Sequence, residues 1–285
     1  MFSNNSTTYC TLQFLKYLLC RFPRKTTLRL GIRLGRFAYD HLSIRKEKAL
    51  KQLRQGFSHR TETYYNAILR QTYEHFGKVI LDNIRLESLD LKRIVTVEGE
   101  DSLEAPDSKQ GMILLTGHFG NWEIFPVWFS RNGYSFTSVI RKQKNKGANR
   151  FFVEWRSKMS APPLYARASS HDMMKVVSEG GILGLAADQD ARKSGVFVEF
   201  LGRPASAFRG PAVFHLKTRA PLILAFCRMD KQSRYHISFE RLQVTQEDSV
   251  ETITQKIASK LEEAVFENPE QYFWFHRRWK TQPKK

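Results

Sequence analysis

The sequence predicts an α/β layered domain, with a central, largely parallel mixed sheet flanked by helices and a helical arm at its N-terminus. Three observations lead there. The chain has 285 residues and 41% hydrophobic content, enough to bury a full core. Short apolar runs bounded by glycine recur along it, and segments of helical periodicity separate them, the alternation that builds parallel sheets. The region before residue 60 is basic and helical in pattern instead.

The elements follow in order. Near the start, "LQFLKYLLCRF" is apolar but broken by Lys16 and ended by Arg21, short of the roughly 20 residues a spanning helix needs. No small-residue cleavage site follows it, so a cleaved signal peptide is not expected. Between Arg21 and Arg60 stand twelve Lys or Arg and two acids, Asp40 and Glu47. Arg29, Arg33 and Arg36 recur on one helical face while Leu30, Leu34 and Phe37 recur on another. That pattern fits a helix lying in a membrane interface and equally an ordinary surface helix. Residues 61–91 read as one long helix with Ile68, Leu69, Phe76, Val79, Ile80 and Ile84 as apolar positions.

Strands are then expected at "RIVTVEGE", "GMILLTG", "SFTSVIRK", "GILGLAAD", "GVFVEFLG" and "APLILAFCRM", with "YHISFERLQV" a seventh. Helices are expected at Trp122 to Arg131, Asn149 to Ser160, Asp172 to Glu179 and Gly210 to Thr218. A last helix, Ser249 to Phe266, carries Ile253, Ile257, Leu261 and Val265 at spacings of four. Without repeat, low-complexity tract or linker, the chain reads as a 1–60 arm forming one structural unit with a 61–285 domain.

The 46 Lys and Arg against 28 acids, a formal charge of +18, point to an anionic partner: nucleic acid, a phosphorylated ligand or an anionic bilayer. Cys10, Cys20 and Cys227 have no CxxC spacing and cannot all pair, so neither a disulfide framework nor a cysteine zinc site is suggested. No helix-turn-helix, zinc-finger or RNA-binding signature accompanies the charge, which argues against nucleic acid.

The stretch "TGHFGNWE" carries the candidate chemistry. It follows the expected strand "GMILL", and sites in open α/β sheets form beyond the carboxyl ends of strands. Five residues turn an ideal helix through about 500°, so His118 and Glu123 meet only if the histidine lies in the turn before the helix. Gly117 and Gly120 permit such a turn, and Asn121 is a plausible cap. A neutral histidine there would act as a general base with a carboxylate fixing its tautomer; the plain alternative is a histidine satisfied by backbone. His75, His171, His215 and His236 have no comparably placed carboxylate.

Several other residues invite a role. Arg141 stands where a guanidinium could grip phosphate. Asp188 and Asp190, without a nearby histidine pattern, make a weak metal site; they suit structural or acceptor-orienting roles, and no metal is expected. "FLGRPASAFRGPA" places Arg203 and Arg209 beside Gly202 and Gly210, a glycine-rich helix start whose backbone NH groups suit an anion or oxyanion, or simply a turn. Near the C-terminus, Trp274, His276, Arg277, Arg278 and Trp279 interleave aromatics and cations, as headgroup interfaces and single-strand binders both do.

These stretches together resemble a family. "GHFGNWE" is similar to the HxxxxE or HxxxxD motif of the lysophospholipid acyltransferase superfamily, in its branch of late acyltransferases of lipid A biosynthesis, the lauroyl and myristoyl transferases. "SVIRKQKNKGANRFFVEWR", "GGILGLAADQD", "VFVEFLGRPASAFRGPA" and "PEQYFWFHRRWKT" resemble its further blocks in order, covering roughly residues 25 to 283. Two departures stand out: the opening apolar piece is shorter than the branch's usual anchor, and Lys142 replaces the proline that often follows the arginine.

The resemblance implies a glycerolipid-acyltransferase-like domain that moves an acyl chain from acyl-acyl carrier protein to a hydroxyl of a lipid A precursor. His118 would take the hydroxyl proton, Glu123 would orient it, and no covalent acyl-enzyme or cofactor is needed. Arg141, Gly202 and Gly210 become oxyanion candidates. Arg141, Asp188, Asp190, Arg203, Arg209, Arg277 and Arg278 become candidates for substrate binding. Acyl carrier protein, an anionic membrane and a phosphorylated glycolipid are the implied partners. The implied place is the cytoplasmic face of the bacterial inner membrane, peripheral or monotopic. A superfamily member acting on another lysophospholipid or a phosphatidylinositol mannoside is the nearer alternative; a basic nucleic-acid- or lipid-binding protein is the non-enzymatic one.

Overall fold

A computed structural model describes residues 4–104 and 110–283; residues 1–3 of the 1–60 range, and 105–109 and 284–285 of the 61–285 range, lie outside it. Five helices come first: α1 (Asn4–Arg21), α2 (Arg24–Phe37), α3 (Lys46–Gly56), α4 (Glu62–Ile84) and the short α5 (Leu91–Ile94). Alternation then sets in with β1 (Val95–Glu98), β2 (Met112–Thr116), α6 (Ile124–Arg131), β3 (Phe136–Ile140), α7 (Lys146–Met159), β4 (Leu164–Tyr165), α8 (Ser170–Ser178) and β5 (Ile182–Ala186). The chain closes with β6 (Val196–Phe200), β7 (Arg203–Ala207), α9 (Gly210–Thr218), β8 (Leu222–Met229), β9 (Tyr235–Arg241) and α10 (Val250–Glu267).

Seven strands form the main sheet in the order β1-β9-β8-β2-β5-β3-β4. All neighbours run parallel except the β8–β9 hairpin. In β2, Met112 to Leu115 are all buried, the continuous apolar run of a strand covered on both faces. One core cluster joins α6 (Phe125, Trp128, Phe129) to β8 and β9. Another joins α3, α4 and α10 to the C-terminal aromatics Tyr272, Trp274 and Trp279. The fold is the α/β sheet with helical arm that the sequence predicts.

The arm is seated on the domain by close backbone contact. A Cβ on Gly31 would stand 2.6 Å from the Gly77 carbonyl oxygen, and one on Gly35 2.2 Å from that of Tyr73, so only glycine allows α2 to lie this near α4. A flanking side of α2 exposes Leu30, Leu34 and Phe37. Among the described residues no helix is long and apolar enough to cross a membrane.

Three expectations change. The helix expected through residue 91 stops at Ile84, because Arg85 leaves helical geometry and its guanidinium donates to the Phe22 carbonyl (2.9 Å) and Thr27 Oγ1 (3.0 Å). "GVFVEFLG" is a strand outside the main sheet. It pairs in antiparallel register with "RPASA", expected as part of a helix start; Val196 faces Ala207 and Phe200 faces Arg203. The helix beyond begins only at Gly210.

Candidate active site

The site forms where β2 and β5 end side by side. Their parallel register pairs Thr116 with Ala186, and the Ala187 amide donates to the Thr116 carbonyl at 3.0 Å. His118 and Asp188 each lie two residues beyond that last pair, so the sheet itself brings them together. His118 Nδ1 is 2.7 Å from Asp188 Oδ1. With the carboxylate accepting from Nδ1–H, Nε2 presents its lone pair, to which the Gln189 amide donates at 3.2 Å.

The turn bearing His118 is fixed from several sides. Gly120 has φ +57°, and a Cβ there would stand 1.8 Å from the Cys227 carbonyl oxygen, so no other residue fits. The Asn121 amide donates to that carbonyl at 2.8 Å. From the C-terminal segment, Phe273 NH donates to the His118 carbonyl (2.9 Å), and Gly120 NH donates to the Gln271 carbonyl (2.9 Å). The Trp122 ring stands edge-on to the imidazole at 4.8 Å between centroids.

Glu123 does not bond His118. Its carboxylate forms a two-pronged pair with Arg156 of α7, one arm of which is Nε to Oε2 at 3.1 Å. Both side chains are largely buried, at 13% exposure for Arg156 and 17% for Glu123. The Asn145 side chain caps α7 by accepting from Ala148 NH at 2.9 Å, and this starts the helix that delivers the arginine. Glu123 still acts on His118 through space. Burial pulls the imidazole's pKa down, but the charge and hydrogen bond of Asp188, then the charge of Glu123, more than reverse this and hold it above 6.5. Burial would raise the Asp188 pKa, yet His118, with a smaller contribution from Arg278, keeps it below the usual carboxylate value.

A cavity of about 550 Å³ opens at these groups. Its lining combines polar side chains, His118, Gln189, Glu123, Arg156 and Arg141, with apolar ones that include Leu114, Phe125, Phe136, Met173, Leu185 and Phe214. Such a lining suits a ligand that has both an aliphatic chain and a polar, anionic group.

The other candidate residues separate. Arg141 and Gly210 line the cavity. Gly202 and Arg203 sit exposed at the β6–β7 turn, and Arg209 is exposed between the lining residues Phe208 and Gly210; none of the three is in the lining. Asp190 does not face the cavity: it accepts from Thr281 NH (3.2 Å) and Oγ1 (3.0 Å), tying down the C-terminal segment. Arg277 is exposed. Arg278 is 3% exposed and donates to the Ser206 carbonyl at 2.6 Å, its charge beside Asp188 rather than in solvent. Cys227 is fully buried and its thiol pushed up by burial, which unfits it as a nucleophile. His236 does find a carboxylate, Asp230 at 2.8 Å, but at the β8–β9 turn and outside the cavity.

A family model described as bacterial lipid A biosynthesis acyltransferase matches residues 4–281. The chain belongs to that family. It is an acyltransferase, and its family points to a lipid acceptor. Among curated relatives, a phosphatidylinositol mannoside acyltransferase of Mycolicibacterium smegmatis is 26% identical over 74% of this acyltransferase and 72% of its own chain. A protein of the same name from Mycobacterium tuberculosis is 24% identical, over 72% and 68%. The lipid A biosynthesis lauroyltransferase of Escherichia coli is 22% identical over 94% of this chain and 89% of its own. Among solved structures, the 1-acyl-sn-glycerophosphate acyltransferase PlsC of Thermotoga maritima aligns with a TM-score of 0.41 and 12% identity, covering 88% of this acyltransferase and 100% of that chain.

Proposed function

We propose that this acyltransferase moves a fatty acyl group from acyl-acyl carrier protein to a hydroxyl of a lipid A precursor, with His118 as general base and Asp188 as the carboxylate that orients it. The observation that carries the mechanism is the 2.7 Å contact between His118 Nδ1 and Asp188 Oδ1, which leaves Nε2 directed at Gln189 and the cavity. In the reaction the acceptor hydroxyl replaces Gln189 at Nε2. The imidazole takes its proton as the oxygen attacks the thioester carbonyl, the tetrahedral intermediate collapses, and the thiol leaves with a proton from the imidazolium. Arg141 and Arg156, both in the cavity lining, supply positive charge for a phosphorylated acceptor or the developing oxyanion. The apolar part of the lining takes the acyl chain.

The relatives of nearly full coverage support a lipid A precursor as acceptor. A phosphatidylinositol mannoside is the second reading, favoured by the higher identity, over less of the chain, of the mycobacterial relatives. Transfer assays with labelled acyl-acyl carrier protein and both acceptors decide between them. Product on the lipid A precursor is expected; product on the mannoside alone discards that acceptor and keeps the chemistry.

The formal charge of +18 and the exposed apolar face of the arm fit a peripheral position on the anionic cytoplasmic leaflet of the inner membrane. Leu30 and Leu34 are 42% and 48% exposed, beside Arg29 and Arg33. Fully burying a leucine contributes roughly 1.5 to 3 kcal/mol and about half of each side chain is still exposed, so the Leu30→Glu/Leu34→Glu double variant is expected to bind anionic vesicles about tenfold more weakly in sedimentation. Wild-type binding should also weaken as salt rises. Unchanged binding by the double variant removes the arm from the membrane contact.

A further inference from the structure

A polar chain that the reaction does not use runs through the interior from the arm to the catalytic turn. Arg24, the first residue of α2, directs Nε (3.0 Å) and Nη2 (2.7 Å) to Oδ2 of Asp82 on α4, and Nη1 (2.6 Å) to the Ser233 carbonyl. The hydroxyl of Tyr235, on β9, donates to the same Asp82 oxygen at 2.9 Å. That hydroxyl in turn accepts from Asn121 Nδ2 at 3.0 Å. Asp82, Tyr235 and Asn121 are each 0% exposed, and Asn121 stands midway in the turn between His118 and Glu123.

Stability alone is a poor account of this arrangement. Among the described residues, Asp82 Oδ1 and Asn121 Oδ1 are buried without a hydrogen-bond partner. Buried ion pairs are often matched or surpassed in stability by apolar side chains of similar volume. What the polar chain does provide is direction. Asn121 holds the turn at its backbone through Cys227 and at its side chain through Tyr235, and Tyr235 is held by an ion pair whose cation belongs to the arm.

We propose that Tyr235 is a positioning residue that couples the seating of α2 to the geometry of the His118–Glu123 turn, so that docking the arm on a lipid surface favours the acylating arrangement. The inference rests on the general-base reading of His118 and on the arm as the membrane contact. The exposed apolar face of α2, beside its glycine contacts with α4, is the one turned to that surface, and Arg24 stands at the start of the same helix. Displacement of α2 therefore pulls on Asp82 and Tyr235 before it reaches any residue of the cavity. A shift of about 1 Å at a reacting group is enough to cost about a hundredfold in rate.

Tyr235→Phe tests this with little disturbance, because it keeps the ring that lies under the Arg24 guanidinium (5.2 Å) and removes only the hydroxyl joining the two halves. Transfer is measured with the lipid acceptor on which the wild-type protein is active, with and without anionic vesicles, alongside vesicle sedimentation and thermal unfolding. The expected result is a fall in kcat of about tenfold or more with KM for the thioester unchanged, and loss of the vesicle stimulation seen in wild type while vesicle binding persists. Arg24→Met should remove the same stimulation, and the double variant should be no worse than Tyr235→Phe. Four results would each overturn the coupling: unchanged kcat, an activity loss matching only a loss of folded protein, fully additive losses, or no wild-type response to vesicles. A wild-type protein that prefers another lipid changes the proposed acceptor alone, since the comparison is then made on that lipid. A His118→Ala protein of undiminished activity instead removes the general base on which the inference stands.

Discussion

His118→Ala is expected to lower kcat by about 10² to 10⁴, the range general-base catalysis usually supplies, with KM for the thioester little changed. The side chain is 23% exposed at the cavity, and its ring touches Trp122 and Phe273, so truncation opens space there and removes one partner of Asp188. Asp188, left behind, keeps Arg278 beside it. Folding should therefore survive, and the loss should lie in the chemical step. Single-turnover transfer with preloaded donor isolates that step. A folded variant retaining wild-type single-turnover rate would remove the imidazole from the mechanism, and with it the reading of the cavity as a general-base site.

The residues of this site were unequally legible. His118 announces itself because glycines flank it directly beyond a fully apolar strand, and the same kind of run, "ILGLA", marks β5. The alliance of His118 with Asp188 is invisible in spacing, since it arises from parallel pairing of strands 70 residues apart. Knowing that β2 and β5 are neighbours in register would have found it. The nearer carboxylate, Glu123, lies at the start of α6 and is claimed by Arg156, whose position depends on how α7 docks. In the fold, Gly210 to Thr218 falls where periodicity puts it. Nothing in the apolar pattern marks the end of the long helix at Ile84, since Leu86, Leu89 and Leu91 beyond it are buried too; the chain turns at Arg85, whose guanidinium reaches the arm. "RPASA" carries no strand signature of its own and becomes one only by pairing with β6.

Asp188→Asn should separate the two carboxylates by pH as well as by rate. An asparagine amide can donate to Nδ1, which moves the imidazole proton to Nε2 and turns the lone pair away from the acceptor hydroxyl; a loss of about 10² to 10⁴ is expected. A general base works only when neutral, so kcat/KM in the wild type should rise with pH and level off above a pKa held higher than 6.5. Without Asp188 the burial that opposes the charged imidazole remains and its largest counterweight is gone. The acid limb must then move to lower pH even as the plateau falls. Glu123 contributes less to His118, so Glu123→Gln should move the limb less and act mainly by releasing Arg156, raising KM for an anionic acceptor. Stability carries the same sign. A histidine whose folded pKa is raised lends stability that is full below its unfolded value and fades as pH rises through the folded one, whereas a carboxylate with lowered pKa lends it until pH falls through its own. The difference in melting temperature between wild type and Asp188→Asn should therefore be greater near about pH 5.5 than near about pH 8.5. A larger limb shift and rate loss in Glu123→Gln than in Asp188→Asn would return the orienting role to Glu123 and make the Asp188 contact a structural one.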